Sequence, residues 1–253
     1  MKFKLAKIND KYPIMLPRHR AEWYKDRQWE VKRLDSMHDK IGKDDVVYYV
    51  GAEVGDHPAL CQIWGAELYL FEPNHTAWRY IKEIWEANKL TRPLGLFAMF
   101  VGNETDLEPA NPDKALYNGE GWKLQEDNYP MYAQGEAFME HGFSILSQER
   151  GGLPIVMIDD VVAQIDLDTG NGTKAPTAII MDIEGAEFEA LQGAENTINT
   201  YHPKIWLSLH PDFLKDQYDT DAQTVRDWLT ERGYKETLLD KLHEEHYLYE
   251  WEK

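Results

Sequence analysis

Two rhythms of apolar and polar positions alternate along this chain. Short runs rich in β-branched and aromatic residues predict strands at Val46 to Val50, Leu68 to Phe71, Leu94 to Val101, Ala178 to Met181 and Lys204 to Leu209. Between them, apolar residues recur at helical spacing. Trp78, Ile81, Ile84 and Trp85 do so within Asn74 to Asn88, with Asn74 as cap, and Phe188, Leu191, Ala194 and Ile198 do so within about Ala186 to Thr200. Strands alternating with helices predict an α/β fold: a mostly parallel, doubly wound sheet with helices on both faces.

At the ends of the chain the pattern is thinner. Lys2 to Ile8 predicts a short strand, after which Pro13 and Pro17 are expected to interrupt regular structure. Arg20 to Ile41 predicts a leading helix that covers part of the sheet or the mouth of the active site, with Trp23, Trp29, Val31 and Leu34 as its apolar contacts. Ile155 to Ile158 is a short apolar run, and Val161 to Ile165 opens a helix. Val225 to Arg232 predicts another, stopped by Gly233, and His246 to Trp251 alternates as a last strand would. Residues 104–152 follow no period. Pro109, Pro112, Pro130 and scattered aromatics (Tyr117, Trp122, Tyr129, Tyr132, Phe138, Phe143) point to an inserted, lid-like segment that shapes a substrate pocket. One domain spanning 1–253 accounts for the whole, with 1–44 as an N-terminal extension.

Composition narrows the partners. The 253 residues are 43% hydrophobic and 12% aromatic, which predicts a globular chain. Against 27 basic residues stand 45 acidic ones, a formal net charge of -18. A chain so acidic is repelled at long range by nucleic-acid backbones and anionic membranes, so neither is expected as a partner. Cys61 is the single cysteine, which excludes an intramolecular disulfide or a multi-cysteine zinc site; it is expected to be buried on the helix after the first strand. No apolar run is long enough to span a bilayer, and the N-terminal residues lack the apolar core of a signal peptide. A soluble, cytoplasmic protein is the expectation.

Candidate chemistry gathers where strands end. Val46 to Val50 runs into Gly51-Ala52-Glu53-Val54-Gly55, and Leu68 to Phe71 runs into Glu72-Pro73. Residues without a β-carbon allow a sharp strand-to-helix turn and let a ligand lie against the backbone. A carboxylate at Glu72 is placed to accept hydrogen bonds from both hydroxyls of a ribose. The turn holds two glycines where the dinucleotide fingerprint has three, which favours a nucleoside without phosphates, such as S-adenosylmethionine. Asn103, closing the third strand, is placed to hydrogen-bond a base edge. In the second half, Asp182 and Glu184 follow one strand and His210 the next, and neighbouring parallel strands lie only about 4.8 Å apart. A carboxylate beside a neutral imidazole equips it to take a proton from a hydroxyl. Two acids and a histidine could also hold a divalent cation, but their spacing is no metal pattern and none is expected. Glu187 is expected to stabilise the start of its helix.

MDIEGAEFEALQGAENTI followed by KIWLSLHP resembles the signature of the FkbM-type S-adenosylmethionine-dependent methyltransferases. VYYVGAEVGDHPAL is similar to that family's first motif, LYLFEPN to its second, IVMIDDVV to its Leu-Asp-Asp segment and DWLTERGYK to its Gly-Tyr segment. The likeness runs from about Asp45 onward. It implies a Rossmann-like methyltransferase fold and methyl transfer to a hydroxyl of a sugar or small-molecule metabolite. Gly51, Ala52, Glu53, Gly55 and Glu72 would then border the cofactor, and Asp182, Glu184 and His210 the reacting centre, with His210 as base. Tyr49 stands where the family has Asp and Glu53 where it has Asn; Glu53 could replace the lost charge that holds the methionine ammonium. Two other readings stay open: an NAD-dependent oxidoreductase or epimerase, which would want a third glycine and a Tyr-x-x-x-Lys pair, and a binding domain without turnover.

Overall fold

The computed structural model describes residues 2–74, 77–106, 155–169, 174–241 and 244–252. From residue 107 onward the expected lid lies outside the described residues.

The central sheet is built from runs buried on both faces. In β3 (Val46–Val50) every residue is buried, as in a parallel strand covered from either side. Val47 and Tyr49 enter one core, and Val46, Tyr48 and Val50 the other. β3 pairs in parallel with β4 (Glu67–Phe71) on one side and β8 (Ala178–Met181) on the other; β5 (Gly95–Phe97) extends the first side and β9 (Lys204–Leu209) the second. β10 (Tyr234–Lys241) and β11 (Glu245–Trp251) complete a seven-stranded sheet in the order β10-β11-β9-β8-β3-β4-β5, with β11 antiparallel to both neighbours. Strand order reverses between β3 and β8, so a crevice opens at their carboxyl ends. This is the expected mostly parallel, doubly wound α/β architecture.

Helices cover both faces. α2 (Val31–Lys40), α3 (Asp56–Ile63) and α4 (Ala77–Asn88) pack on one; α5 (Ile158–Thr169), α6 (Glu187–Gln192), α7 (Glu195–Tyr201) and α9 (Ala222–Glu231) on the other. α8 (Pro211–Tyr218) follows β9 at the crevice. Trp78, Ile81, Ile84 and Trp85 are the buried face of α4, and Cys61 is buried on α3, as their spacing predicts.

Several expectations need correction. Pro13 and Pro17 do not interrupt structure: they belong to β2 (Tyr12–Pro17), which pairs antiparallel with β1 (Phe3–Ile8). They share the parity of Met15, whose N–H points away from β1 to the Asn88 side chain, so no ladder hydrogen bond is lost. The single leading helix is two, α1 (Arg18–Trp23) and α2, separated by Asp26 and Glu30 in left-handed backbone conformations. Leu94 to Val101 also divides. The chain leaves the sheet after Phe97, and β6 (Phe100–Val101) pairs with β7 (Ile155–Val156) in a separate two-stranded sheet. The helix expected over Ala186 to Thr200 breaks after Gln192. There the Asp159 carboxylate on α5 accepts the Asn196 and Thr197 N–H groups (2.9 and 2.7 Å), capping α7 as a separate helix. β10 and α8 were not anticipated, the first because many of its residues are exposed and polar.

Candidate active site

The turn after β3 is dictated by what lies beside it. Gly51 has φ +85°, and a β-carbon there would lie 1.9 Å from the Asp182 carbonyl oxygen, so only glycine fits. The N–H groups of Gly51 and Ala52 both donate to the Phe71 carbonyl, at 2.9 and 3.0 Å, locking the turn to the tip of β4. Glu53 follows in the left-handed region (φ +48°), and its N–H donates to Glu72 Oε2 at 2.8 Å; the Asn74 N–H donates to Oε1 at 2.7 Å. One buried carboxylate therefore clips together the loops after β3 and β4. Burial pushes the Glu72 carboxyl up to about 7, against the two amide hydrogen bonds. Gly55, the remaining expected turn residue, leads into α3. The Glu53 side chain is 46% exposed, and Arg20 Nη2 reaches it at 3.5 Å. Desolvation at the crowded turn first, then the charges of Asp56, Asp182 and Glu72, push its carboxyl up to about 8, and Arg20 opposes the shift. Tyr49 is buried in the core under the N-terminal extension. Asn103 stands apart: it follows β6, outside the seven-stranded sheet, and its exposed amide lies 3.5 Å from Gln192.

Across the switch point, Asp182, Glu184 and His210 come together. The Asp182 N–H donates to Val50 at 3.0 Å, which sets the tip of β8 against the glycine turn. His210, at the end of β9, lies 3.6 Å through Nε2 from both Asp182 Oδ1 and Glu184 Oε2. Two carboxylates not expected beside it hold it more closely. Glu244, just before β11, lies 2.7 Å from Nε2, and Glu187 Oε1 lies 2.8 Å from Nδ1. Glu187 also accepts the Gly185 N–H at 3.0 Å, so it does serve the start of its helix while gripping the imidazole. Burial lowers the pKa of His210, but the hydrogen bonds to Glu187 and Glu244 and the charge of Asp182 prevail and hold it up at about 11. A ring in that state has no lone pair to offer, so the neutral histidine expected as base is not what this geometry holds. Burial first, then the charges of Asp182, Glu244 and Glu187, push the Glu184 carboxyl up to about 7, with His210 pulling the other way.

The N-terminal extension supplies further unanticipated groups. Arg33 is buried, with Nη1 2.5 Å from Glu30 and 2.9 Å from Asp182. Arg20 meets Asp56 at 2.6 Å, and the Tyr24 hydroxyl donates to the same carboxylate at 2.7 Å. The i,i+3 spacing of Glu30 and Arg33 was visible in sequence; their meeting with Asp182 was not.

The model of the methyltransferase FkbM domain matches residues 45–236, most of the chain. This chain belongs to the FkbM methyltransferase family. A search of curated protein sequences found no match. Among solved structures, the FkbM chain is similar to methyltransferase FkbM from Methylobacillus flagellatus KT (17% identity, TM-score 0.49), covering 83% of its own length and 44% of the other's. It is also similar to a precorrin-6y C5,15-methyltransferase from Geobacter metallireducens GS-15 (11% identity, TM-score 0.46, 89% of each chain). An rRNA methylase from Streptococcus thermophilus is a further neighbour (10% identity, TM-score 0.45, 87% of this chain and 94% of that one). Among the described residues, no helix is long and apolar enough to cross a membrane.

Proposed function

We propose that this FkbM methyltransferase transfers the methyl group of S-adenosylmethionine to a hydroxyl on a sugar or small-molecule metabolite. The observation that carries the reading is the meeting, at one switch point, of a glycine turn clipped by Glu72 and a carboxylate–histidine cluster on the tips of β8 and β9. The residues suit the cofactor. Glu72, at the tip of β4 beside the glycine turn, retains lone pairs for ribose hydroxyls after accepting two amides. Glu53, half open and next to Arg20, offers a carboxylate to an ammonium while Arg20 faces a carboxylate.

When bound, S-adenosylmethionine would supply an electrophilic methyl group, its sulfonium becoming a neutral thioether as the S–C bond breaks. As the new C–O bond forms, the acceptor hydroxyl must give up its proton. Glu184 is the acceptor we assign: it is the most open member of the cluster, and a carboxyl near 7 is matched to proton transfer at neutral pH. His210, charged and gripped from both sides, orients Asp182 and Glu184 and favours negative charge on the reacting oxygen. The net charge of -18 supports a small acceptor over a nucleic acid.

Calorimetric titration with S-adenosylmethionine and S-adenosylhomocysteine tests the cofactor; a folded chain that binds neither ends the proposal. With an acceptor found by screening hydroxylated metabolites for S-adenosylhomocysteine release, Glu184→Gln should lower turnover by about a hundredfold with cofactor affinity unchanged. Full turnover in that variant would remove Glu184 from the chemistry.

A further inference from the structure

A second cluster shares Glu244 with the crevice but is buried between the N-terminal extension and the antiparallel end of the sheet. Glu30, which precedes α2, Glu244, just before β11, and His246, on β11, each offer one donor atom, and these atoms all lie within 4.8 Å of one another. All three residues are buried. Each is also held from its far side. Arg33 Nη1 grips Glu30 Oε2, His210 Nε2 lies 2.7 Å from Glu244 Oε2, and Ser208 Oγ lies 2.8 Å from His246 Nδ1. Ser208 is the partner of His246 in the pairing of β9 with β11, so the tie on the ring is built into the sheet. Outer partners that fix carboxylates and imidazoles through the atoms not bound to metal are a recurrent supporting arrangement in metal sites.

The atom that points to a ligand is His246 Nε2. It is wholly buried, has no hydrogen-bond partner and faces Glu244 Oε1 at 3.4 Å. The bond made by the other ring nitrogen sets the tautomer. With Nδ1–H donating to Ser208 Oγ, Nε2 turns a lone pair toward a carboxylate, a repulsive contact unless a cation stands between them. With the proton on Nε2 instead, its acceptor lies beyond the usual N–H···O length of about 2.7–3.2 Å. Neither form satisfies the ring within the protein, and a buried polar atom in that state calls for a further partner. Charge has the same sense: Glu30, Asp182, Glu184, Glu187 and Glu244 are met by one guanidinium, Arg33, and one imidazole, His210. A cation answers both.

We propose that Glu30, Glu244 and His246 bind one divalent transition-metal ion, with Zn2+ the best match. Donors bound at about 2.0–2.2 Å on a tetrahedral zinc ion stand about 3.4 Å apart. That separation is already present between His246 Nε2 and Glu244 Oε1. An imidazole suits zinc better than magnesium or calcium, and two carboxylates balance its charge. The hold on His210 is kept, because Glu244 meets that ring through Oε2 and faces His246 through Oε1. The role of a site this buried is bracing: the ion joins the start of α2 to β11, and so the N-terminal extension to the sheet. Sequence spacing hides the site, because Glu30 lies at the opposite end of the chain from Glu244 and His246. Neither the binding nor the bracing rests on methyl transfer.

The test is titration of tag-free, chelator-stripped protein with zinc chloride, read by calorimetry, by thermal melting and, at one zinc per chain, by X-ray absorption at the zinc edge. One saturable site per chain is expected, with a raised melting temperature and a shell of one imidazole and otherwise oxygen. Ser208→Ala, which removes the partner of Nδ1, should weaken zinc binding by roughly ten- to a hundredfold. His246→Gln should weaken it further and abolish the imidazole scattering, whereas His19→Gln, exposed on α1, should change nothing. Absence of a saturable site, a shell without imidazole, or an affinity indifferent to His246→Gln overturns the proposal. Should His246→Gln fail to fold, the wild-type shell decides: a single imidazole with oxygens upholds the site, and any other shell overturns it.

Discussion

At Gly51 a single β-carbon is the difference between a closed turn and a collision. Its positive φ and the Asp182 carbonyl at 1.9 Å act together, so Gly51→Ala should cost at least about 2 kcal/mol. In a chain of this size that corresponds to a fall of roughly 4–8 °C in thermal midpoint, and an unchanged melt would contradict the geometry. Gly51, Gly55 and Glu72 were legible in sequence because turn chemistry is local: a glycine after an apolar run announces its backbone. Glu187 was legible only in part. Its place in the first turn of a helix revealed one hydrogen bond, and its grip on His210 stayed hidden until β9 lay beside that turn.

Elements were placed well wherever burial was two-sided and poorly wherever a neighbour intervened. β8 and β9 begin and end where their apolar runs do. By contrast, the continuous apolar face of Phe188, Leu191, Ala194 and Ile198 concealed a break imposed by Asp159 on α5. α2 is tied to the tip of β8 by Arg33 alone among its buried charges, through Glu30 and Asp182. Arg33→Met keeps the bulk but takes the guanidinium from both carboxylates, and a loss of about 3–5 kcal/mol is expected in urea unfolding. A loss below about 1 kcal/mol would mean that water compensates the two acids.

Across the whole molecule, the N-terminal extension is clamped to the helix after the glycine turn by Arg20, Tyr24 and Asp56. Burial opposes ionisation of Asp56, yet Arg20, His57 and the hydrogen bonds from Arg20 and Tyr24 hold its carboxyl well below the usual carboxylate range. A folded pKa below the unfolded one contributes stability that is complete above about pH 4 and is lost as the pH falls through the folded value. The stability gap between wild type and Asp56→Asn, measured by urea unfolding, should therefore be wide at pH 6 and narrow steadily below pH 4. A gap that is constant with pH would show that the pair contributes no charge-dependent stability. By itself the sequence determined the alternation of strands and helices, the glycine turn, the acid at the tip of β4 and the acids and histidine at the tips of β8 and β9. Those follow from backbone sterics and side-chain periodicity within a few residues. Tertiary structure alone decided that Arg33 closes on Asp182, and Glu187 and Glu244 on His210. Such meetings depend on which strands become neighbours and how far side chains reach across them, and no rule confined to a short window contains that information.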